Sequence, residues 1–596
     1  MNYGIISIES SDTMFLKKSV SNGKIYLSFV QGYRDENGKV KQKTIEKIGY
    51  LDDLKKQFDD PIAHFKQIAK NKANEDINEL VIKNLNAQKI KDNDRQRNLG
   101  YIILKQLYNE LGLKVFFKNK QKKLKINYDL NSIFELLIYS RILFPASKNE
   151  TYKNKDVFFD KFDFSLKDLY RSLDYFNGFK DELQTLIWNN TKDKYNRDAS
   201  TSYYDCTNYY FEITYNDEDL IDENGNILEK GYRKKGPSKE HRPEPIIGLG
   251  LLMDKTGIPL SYNLFPGNQS EKLTLRPSLK KTKANFNINR TIVVADRGLN
   301  TSDNIYFLAG KNDDYCNNDG YVYGQSVLGS DIEFKDWVLN QEDYVTDIFT
   351  EDGEEIHFKH KSRIYAKTIQ IKRDGKRTNK YTVYQKQMVY YSKKYADKQK
   401  YERDLVIAKA KDLINNPGKY TRATSIGAAG FINNISFDKS TGEVINKDLS
   451  LNEDKIKELE KFDGYYSIVT SEKELSDKEI RDIYSGLWKI EETFKITKSE
   501  LKTRPVYVWT KEHIEAHFLT CFISLVMLRL LQQKTNYKFS TKQIISSLKS
   551  WSCFNLEHDI YINLNYSKQL NDILKMFNID LSIKYINWKK ISNLLK

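Results

Sequence analysis

Asp205, Asp296 and Glu491 are the acids whose surroundings suit catalysis. Asp205 sits in "YYDCTNYYFEI" (203–213). Its neighbours Tyr203, Tyr204, Tyr209, Tyr210, Phe211 and Ile213 all favour strands. A carboxylate buried in such a run must be paired or must bind a metal. Asp296 closes the apolar run "RTIVVADRG" (290–298), which reads as a fully buried strand. Two acids presented from adjacent strands crowd like charge, and a hard cation relieves that cost. Mg²⁺ takes one or two carboxylates and keeps waters for a phosphate substrate. Two such ions can activate a water and stabilise the leaving oxygen in phosphodiester cleavage. Each aspartate also has a plainer reading, as a turn acid that accepts nearby backbone N–H groups.

The third group is expected on a helix packed against the sheet. "YSGLWKIEETFKITKSEL" (484–501) is that helix. Tyr484, Glu491 and Lys498 are seven apart and share one face with Leu487. Ile490, Phe494, Thr497 and Leu501 form a neighbouring, mostly apolar stripe for docking. Glu492 points about 100° round the helix and is the rival acid. Glu491 is favoured because it alone shares the Tyr484/Lys498 face. The plainer alternative is surface charge on a helix built from good helix formers.

The rest of the chain must position these groups. Its 596 residues allow several domains and a large core. Lys+Arg 96 against Asp+Glu 81 gives +15, which favours a polyanionic partner, nucleic acid before a membrane surface. Aromatics at 13% argue for a folded chain over a basic disordered tail. Cys206, Cys316, Cys521 and Cys553 are far apart, with no CxxC pair, which fits a reducing cytosol. The start, MNYGIISIESSD, has no basic region followed by an apolar core. The apolar run "FLTCFISLVML" (518–528) is too short to span a bilayer and reads as a buried helix. There is no P-loop or glycine-rich phosphate cradle.

Six segments follow from the patterning. Residues 1–54 read as a small β unit with a hairpin turn at Asn37-Gly38. Residues 55–195 read as helical, a DNA-binding candidate region. Within them, "KVFFKNKQKKLK" (114–125) reads as a solvated loop or a phosphate-contacting segment. Residues 196–309 carry strands, including "PIIGLGLLMD" (245–254) and "IPLSYNLFPG" (258–267). Residues 310–460 read as a mixed insertion, with strands near 364–372 and 381–391 and a helix near 393–414. Residues 461–535 resume the strand pattern and hold the Glu491 helix, and 536–596 end the chain as a helical region.

With these residues in place, the chain resembles the DDE insertion-sequence transposases whose last acid lies in a Y-x2-R-x3-E-x6-K signature. Tyr484, Glu491 and Lys498 match it, and Leu487 stands at the arginine position. The resemblance covers roughly residues 100–535. It extends to "SKEHRPE" (238–244), "FPGNQSEKLTL" (265–275), "VVADRGL" (293–299), "FDGYYSIVT" (462–470) and "RPVYVWTKEHIEAHFLTCFISL" (504–525). It implies a ribonuclease-H-like α/β core with a mixed insertion before the final helix. The gaps agree, since 296 − 205 = 91 and 491 − 296 = 195, and the second is too long for a loop. It implies that Asp205, Asp296 and Glu491 hold Mg²⁺, with Mn²⁺ as a substitute. It implies cleavage at element ends and transfer of the freed 3′ hydroxyls to target DNA. The implied partners are DNA, both terminal repeats and target, and a second copy of the chain in a paired-end complex. The implied location is the cytoplasm of a bacterium, at the nucleoid and not in a membrane.

Tyr484 and Lys498 are the implied phosphate-positioning groups. Lys239 and Arg242, in "YRKKGPSKEHRP", and Arg297 are further DNA-backbone candidates. Glu271 is either a fourth acid or a helix-start acid. His241 reads as structural or phosphate-contacting. Trp337 reads as packing or as a stacking platform for an unpaired base. His513 and His517 lack the HExxH pattern of a zinc helix. Two rival readings stay open, a non-catalytic DNA binder of transposase descent and a structure-specific DNA nuclease.

Overall fold

The tyrosine-rich run around Asp205 forms strand β1 (Thr201–Tyr210), buried on both faces. Mostly buried, largely apolar runs make β2 (Ile246–Asp254) and β3 (Pro259–Pro266), and the three strands pair as an antiparallel meander. The short run before Asp296 is β4 (Ile292–Ala295), parallel to β1 on one side and to β5 (Gly320–Gln325) on the other. Then come β6 (Val345–Glu351), β7 (Glu354–Arg373), β8 (Lys376–Tyr391) and β9 (Tyr465–Thr470). Together they form one nine-stranded mixed sheet in the order β6-β7-β8-β9-β5-β4-β1-β2-β3. The result is a mixed α/β protein.

The computed structural model of the protein describes residues 14–21, 23–34, 40–75, 96–310, 318–351, 354–373, 376–445, 448–557, 560–580 and 583–595. The Asn37-Gly38 turn, Cys316 and the N-terminal stretch 1–13 lie outside them. Cys206, Cys521 and Cys553 are buried free thiols.

The chain divides into two compact units. One comprises residues 1–102, 156–159 and 547–596. It holds the antiparallel meander Met14–Ser21, Lys24–Arg34 and Val40–Tyr50, followed by the helix Pro61–Glu75. Met14, Phe29 and Ala69 form a small core there. Both ends of the chain also share a four-stranded sheet, whose edge strand Arg97–Asn98 pairs with Ser552–Glu557. The Asn98 amide ties them by donating to the carbonyls of Leu548, Lys549 and Trp551.

The second unit, residues 103–155 and 160–546, carries the nine-stranded sheet. Its helices include α1 (Leu130–Leu143), α2 (Leu166–Gly178), α3 (Leu275–Phe286), α4 (Lys393–Asn415), α5 (Asp477–Ser485), α6 (Trp488–Ser499) and α7 (Lys511–Lys534). Alternation along β1 divides the work between its two faces. Tyr204 and Cys206 enter a core with Leu275 and Leu279 of α3 and with Val293 and Ala295 of β4. Tyr203 and Tyr209 face the opposite way, where the Tyr203 hydroxyl donates to Ile483 O of α5 at 3.2 Å and the Tyr209 hydroxyl meets Thr497 of α6 at 2.7 Å. Asp205 shares this second face. The long helix α7 runs behind α6 and against α1 and α2. It is apolar and long enough to cross a membrane by composition, but that stretch is wholly buried inside the protein.

Four local outcomes differ from the sequence expectation. The segment 536–596, expected helical, also holds the strands Ser552–Glu557, Ile560–Asn563 and Tyr585–Asn587. Residues 114–121 of the basic segment 114–125 lie in the helix Leu113–Gln121, not a loop, with Phe117 buried on its inner face. β5 falls inside the expected insertion 310–460 yet lies in the middle of the sheet. β6 to β8 lengthen the same sheet through β9, so that part of the segment continues the sheet. The helix expected near 393–414 is α4.

Candidate active site

Strand register brings the two aspartates together. Ile292 pairs with Thr201 and Val294 with Tyr203, an offset of 91 that also separates Asp296 from Asp205 (296 − 205 = 91). Continued one step past β4, that register sets Asp296 level with Asp205. Alternation puts both on the face that carries α5 and α6. Each carboxylate Oδ1 accepts the N–H of the next residue at 2.7 Å, from Cys206 and from Arg297. The turn-acid hydrogen bond is therefore present at both, but within a shared level of the sheet.

Glu491 reaches the same place from the first turn of α6. Asp205, Asp296 and Glu491 all line one cavity of about 560 Å³, together with Arg297, Gln325, Tyr484, Leu487 and Trp488. Glu492 turns away and pairs with Arg529 of α7 at 2.8 Å. Among the described residues no three of His, Cys, Asp and Glu converge closely enough to hold one ion between them. The acids ring the cavity without forming a closed ligand sphere.

Burial, then the neighbouring carboxylates of Glu271 and Asp296, push the Asp205 carboxyl up to about 6, against the pull of Lys239 and of the Cys206 N–H. Desolvation is the main cause, so an ionised Asp205 lacks the stabilisation that water would give it. Mg²⁺ suits it, since such an ion needs only one or two protein carboxylates and takes its other ligands from water and phosphate.

The helix expected over 484–501 is broken. α5 ends at Ser485 and α6 begins at Trp488, so Tyr484 does not share a helical face with Glu491 and Lys498. The turn between them holds Gly486 and Leu487, and Gly486 packs against β1. A Cβ there would lie 2.0 Å from the Tyr203 hydroxyl, so only glycine lets the chain pass this close to β1. Tyr484 still reaches the cavity. Its hydroxyl lies 3.0 Å from that of Tyr466 and donates to Asp296 Oδ1 at 3.4 Å. Gly324 of β5 leaves room for it, as a Cβ there would sit 2.5 Å from the Tyr484 oxygen.

Lys498, Lys239 and Arg242 lie apart from the cavity wall. Lys498 Nζ donates to Glu240 Oε1 at 3.1 Å, and burial and Lys239 lower its pKa. Lys239 pairs with Glu271 at 3.3 Å and donates to the Cys206 carbonyl. Burial opposes its charge, yet Asp205 and Glu271 outweigh that and raise its pKa. Arg242 lies 4.1 Å over the Tyr210 ring and 3.7 Å from Glu244. Arg297 is exposed at the cavity mouth. His241 is exposed with φ +54°. Trp337 packs beside Phe334 and Val338 beneath Lys361 and Arg363. His513 faces Asp174 at 3.4 Å, whereas His517 is buried against the Thr503 carbonyl.

Sequence reasoning missed the aromatic wall of the cavity. Tyr390, Tyr395 and Tyr466 line it, with ring centroids 5.6 Å apart for Tyr390–Tyr466 and 5.4 Å for Tyr395–Tyr466. They come from β8, α4 and β9, and no spacing in the chain signals their meeting. Trp488 adds a ring that is 56% exposed.

Two family models match the chain. The transposase DDE domain matches residues 229–527, and the N-terminal domain of IS1634 family transposases matches residues 16–80. The first match contains Asp296 and Glu491 and begins after Asp205. No curated protein matches the chain.

Proposed function

The chain belongs to the DDE insertion-sequence transposases, and on that premise we propose that it binds the ends of its element, cuts the phosphodiester bonds there and joins the freed 3′ hydroxyls to target DNA. The observation that carries this reading is that Asp205, Asp296 and Glu491 line one cavity, with the two aspartates carried by neighbouring parallel strands, Asp205 within β1 and Asp296 just past the end of β4. The strand order β3-β2-β1-β4-β5, with β1, β4 and β5 parallel, supports a ribonuclease-H-like core.

In cleavage, the oxygen of a water forms a bond to the end phosphorus and the 3′ oxygen of the cut strand leaves. In transfer, that 3′ hydroxyl attacks a target phosphate in the same way. Bound Mg²⁺, or Mn²⁺, supplies the Lewis acidity that lowers the pKa of the attacking group and neutralises the leaving oxygen. Asp205 and Asp296 hold fixed positions because a central strand pair is a rigid mount. Glu491 closes the third side. Tyr484 orients Asp296 and offers its hydroxyl to an end phosphate, and Arg297 adds charge at the mouth. Lys239, Arg242 and Lys498 extend the basic track along the loop that covers the far end of β1. Their ion pairs are part-exposed, and exposed pairs are worth about 1 kcal/mol or less, so a phosphate can displace the carboxylate partner.

A homodimer in a paired-end complex, in the cytoplasm, completes the proposal. The test is strand transfer. Purified protein, Mg²⁺ and a labelled duplex with a pre-cut element end are mixed with a target plasmid. Label joined to the plasmid supports transposition. Cutting without joining points to a nuclease on the same core.

A further inference from the structure

A second cavity, of about 480 Å³, opens away from the three acids. Its lining carries Arg141, Lys148, Lys502 and Arg504, against one carboxylate, Glu150. Two of these cations are deeply buried, Lys148 at 4% and Arg141 at 6% exposure. Buried charges are normally paired, because desolvation is otherwise uncompensated. Among the described residues neither has a carboxylate within ion-pair distance. Among them, Arg141 donates to the carbonyls of Leu501, Lys502 and Ala146, and its Nε has no partner. Lys148 Nζ lies 3.4 Å from His517 Nδ1. His517 Nε2 meets the Thr503 carbonyl at 2.9 Å, so Nε2 carries the proton and Nδ1 accepts from Lys148. Burial and the charges of Lys148 and Arg141 hold that imidazole neutral. It therefore offers Lys148 a hydrogen bond and no counter-charge. Arg504 is engaged by Glu240, while Lys502 is exposed at the rim.

We propose that this cavity is a phosphate site, completed by a phosphate group of the DNA backbone that sits between Lys148, Arg141 and Lys502. Compact, multiply charged acceptors suit a guanidinium fork and an ammonium set side by side. The present cost of the arrangement is visible at Lys148, whose ammonium is pushed down to about 7 by burial and by Arg141. An anion would reverse that. The phosphate chemistry stands on the cavity alone, and its assignment to DNA rests on the transposase reading.

The test uses the full chain, inorganic phosphate and a labelled duplex carrying the element end. Lys148→Met keeps the length of the buried side chain and removes its charge. Lys502→Gln, at the exposed rim, covers the case in which the buried variant does not fold. Phosphate, against chloride at equal ionic strength, is expected to raise the melting temperature of the wild type, and each variant to lose that rise. Each variant is also expected to reduce the salt slope of DNA binding by about 0.9, the value for one lost phosphate contact. Loss of the phosphate response with an unchanged slope would overturn the DNA source and leave a site for free phosphate. Should the wild type bind no DNA while phosphate still acts through Lys148, the site stands and the transposase reading fails. Equal responses to phosphate and chloride, with slopes unaltered in both variants, would overturn the proposal.

Discussion

Asp205 lies within β1 and Asp296 just past the end of the parallel strand β4, where the continued register sets the two level, and each accepts the N–H of the residue that follows it at 2.7 Å. The pair is thereby fixed in position before any ligand arrives. What differs is environment, since Asp205 is half-buried and Asp296 is exposed. Burial therefore puts an electrostatic cost on an ionised Asp205.

That cost has a measurable sign. The Asp205 carboxyl is raised from an ordinary 3.8 to about 6 by burial and by Glu271 and Asp296. Its folded pKa exceeds its unfolded one, so it favours folding while protonated, below about pH 3.8, and this contribution is lost as pH rises through about 6. Above pH 6 the ionised acid works against the metal-free fold by at most ~3 kcal/mol. Asp205→Asn is expected to melt higher than wild type at pH 7.5 without metal, and the gain should vanish by about pH 4. Added Mn²⁺ should raise the melting temperature of wild type and not that of the variant. A variant that melts lower at pH 7.5 would contradict this.

Glu491 and Glu492 are adjacent and should separate cleanly. Glu492 pairs with Arg529, whose side chain is nearly buried, so Glu492→Ala is expected to cost about 1–3 kcal/mol in denaturant titrations. Its cleavage rate below the melting range should stay near wild type. Glu491 is exposed on the cavity, so Glu491→Ala should leave stability within about 0.5 kcal/mol and abolish cleavage.

Gly486 lies in the turn between α5 and α6, against Tyr203 of β1. Alanine there adds a Cβ outside either helix. That Cβ meets the Tyr203 oxygen at 2.0 Å and Cζ at 2.4 Å, and such overpacking costs about 1–3 kcal/mol. Gly486→Ala is expected to lower the melting temperature. It should also lower cleavage more than binding, because Tyr484 and Glu491 flank the displaced turn.

The strand at Asp205 and the buried strand before Asp296 were legible because tyrosine-rich and Ile-Val-Val-Ala runs have few alternatives to a strand. Their side-by-side placement was implied by family likeness. Its cause, a register offset equal to their separation, is a pairing fact that one sequence does not display. The break at Gly486 was not legible. The helical period of Tyr484, Glu491 and Lys498 continues through it, and the close contact at Gly486 is with Tyr203, nearly three hundred positions earlier. Likewise Lys239, Arg242 and Lys498 read as free basic residues, but each stands near a glutamate, Glu271, Glu244 and Glu240 in turn, that only the fold brings near. β5 was absorbed into the insertion because its partners, β4 and β9, flank it in space but lie on either side of a long intervening segment.

The central claim is that Asp205, Asp296 and Glu491 act together in cutting DNA. It is tested most directly by nicking of a labelled duplex that carries the element's terminal repeat, with Mg²⁺ or Mn²⁺, by wild type and by Asp205→Ala, Asp296→Ala and Glu491→Ala. The wild type should nick at the repeat boundary, and each variant should bind the duplex with near-normal affinity and cut at least a thousandfold more slowly, on the order of a ~4 kcal/mol loss of transition-state stabilisation. Cutting by any one of the three variants at the wild-type rate would contradict the three-acid site.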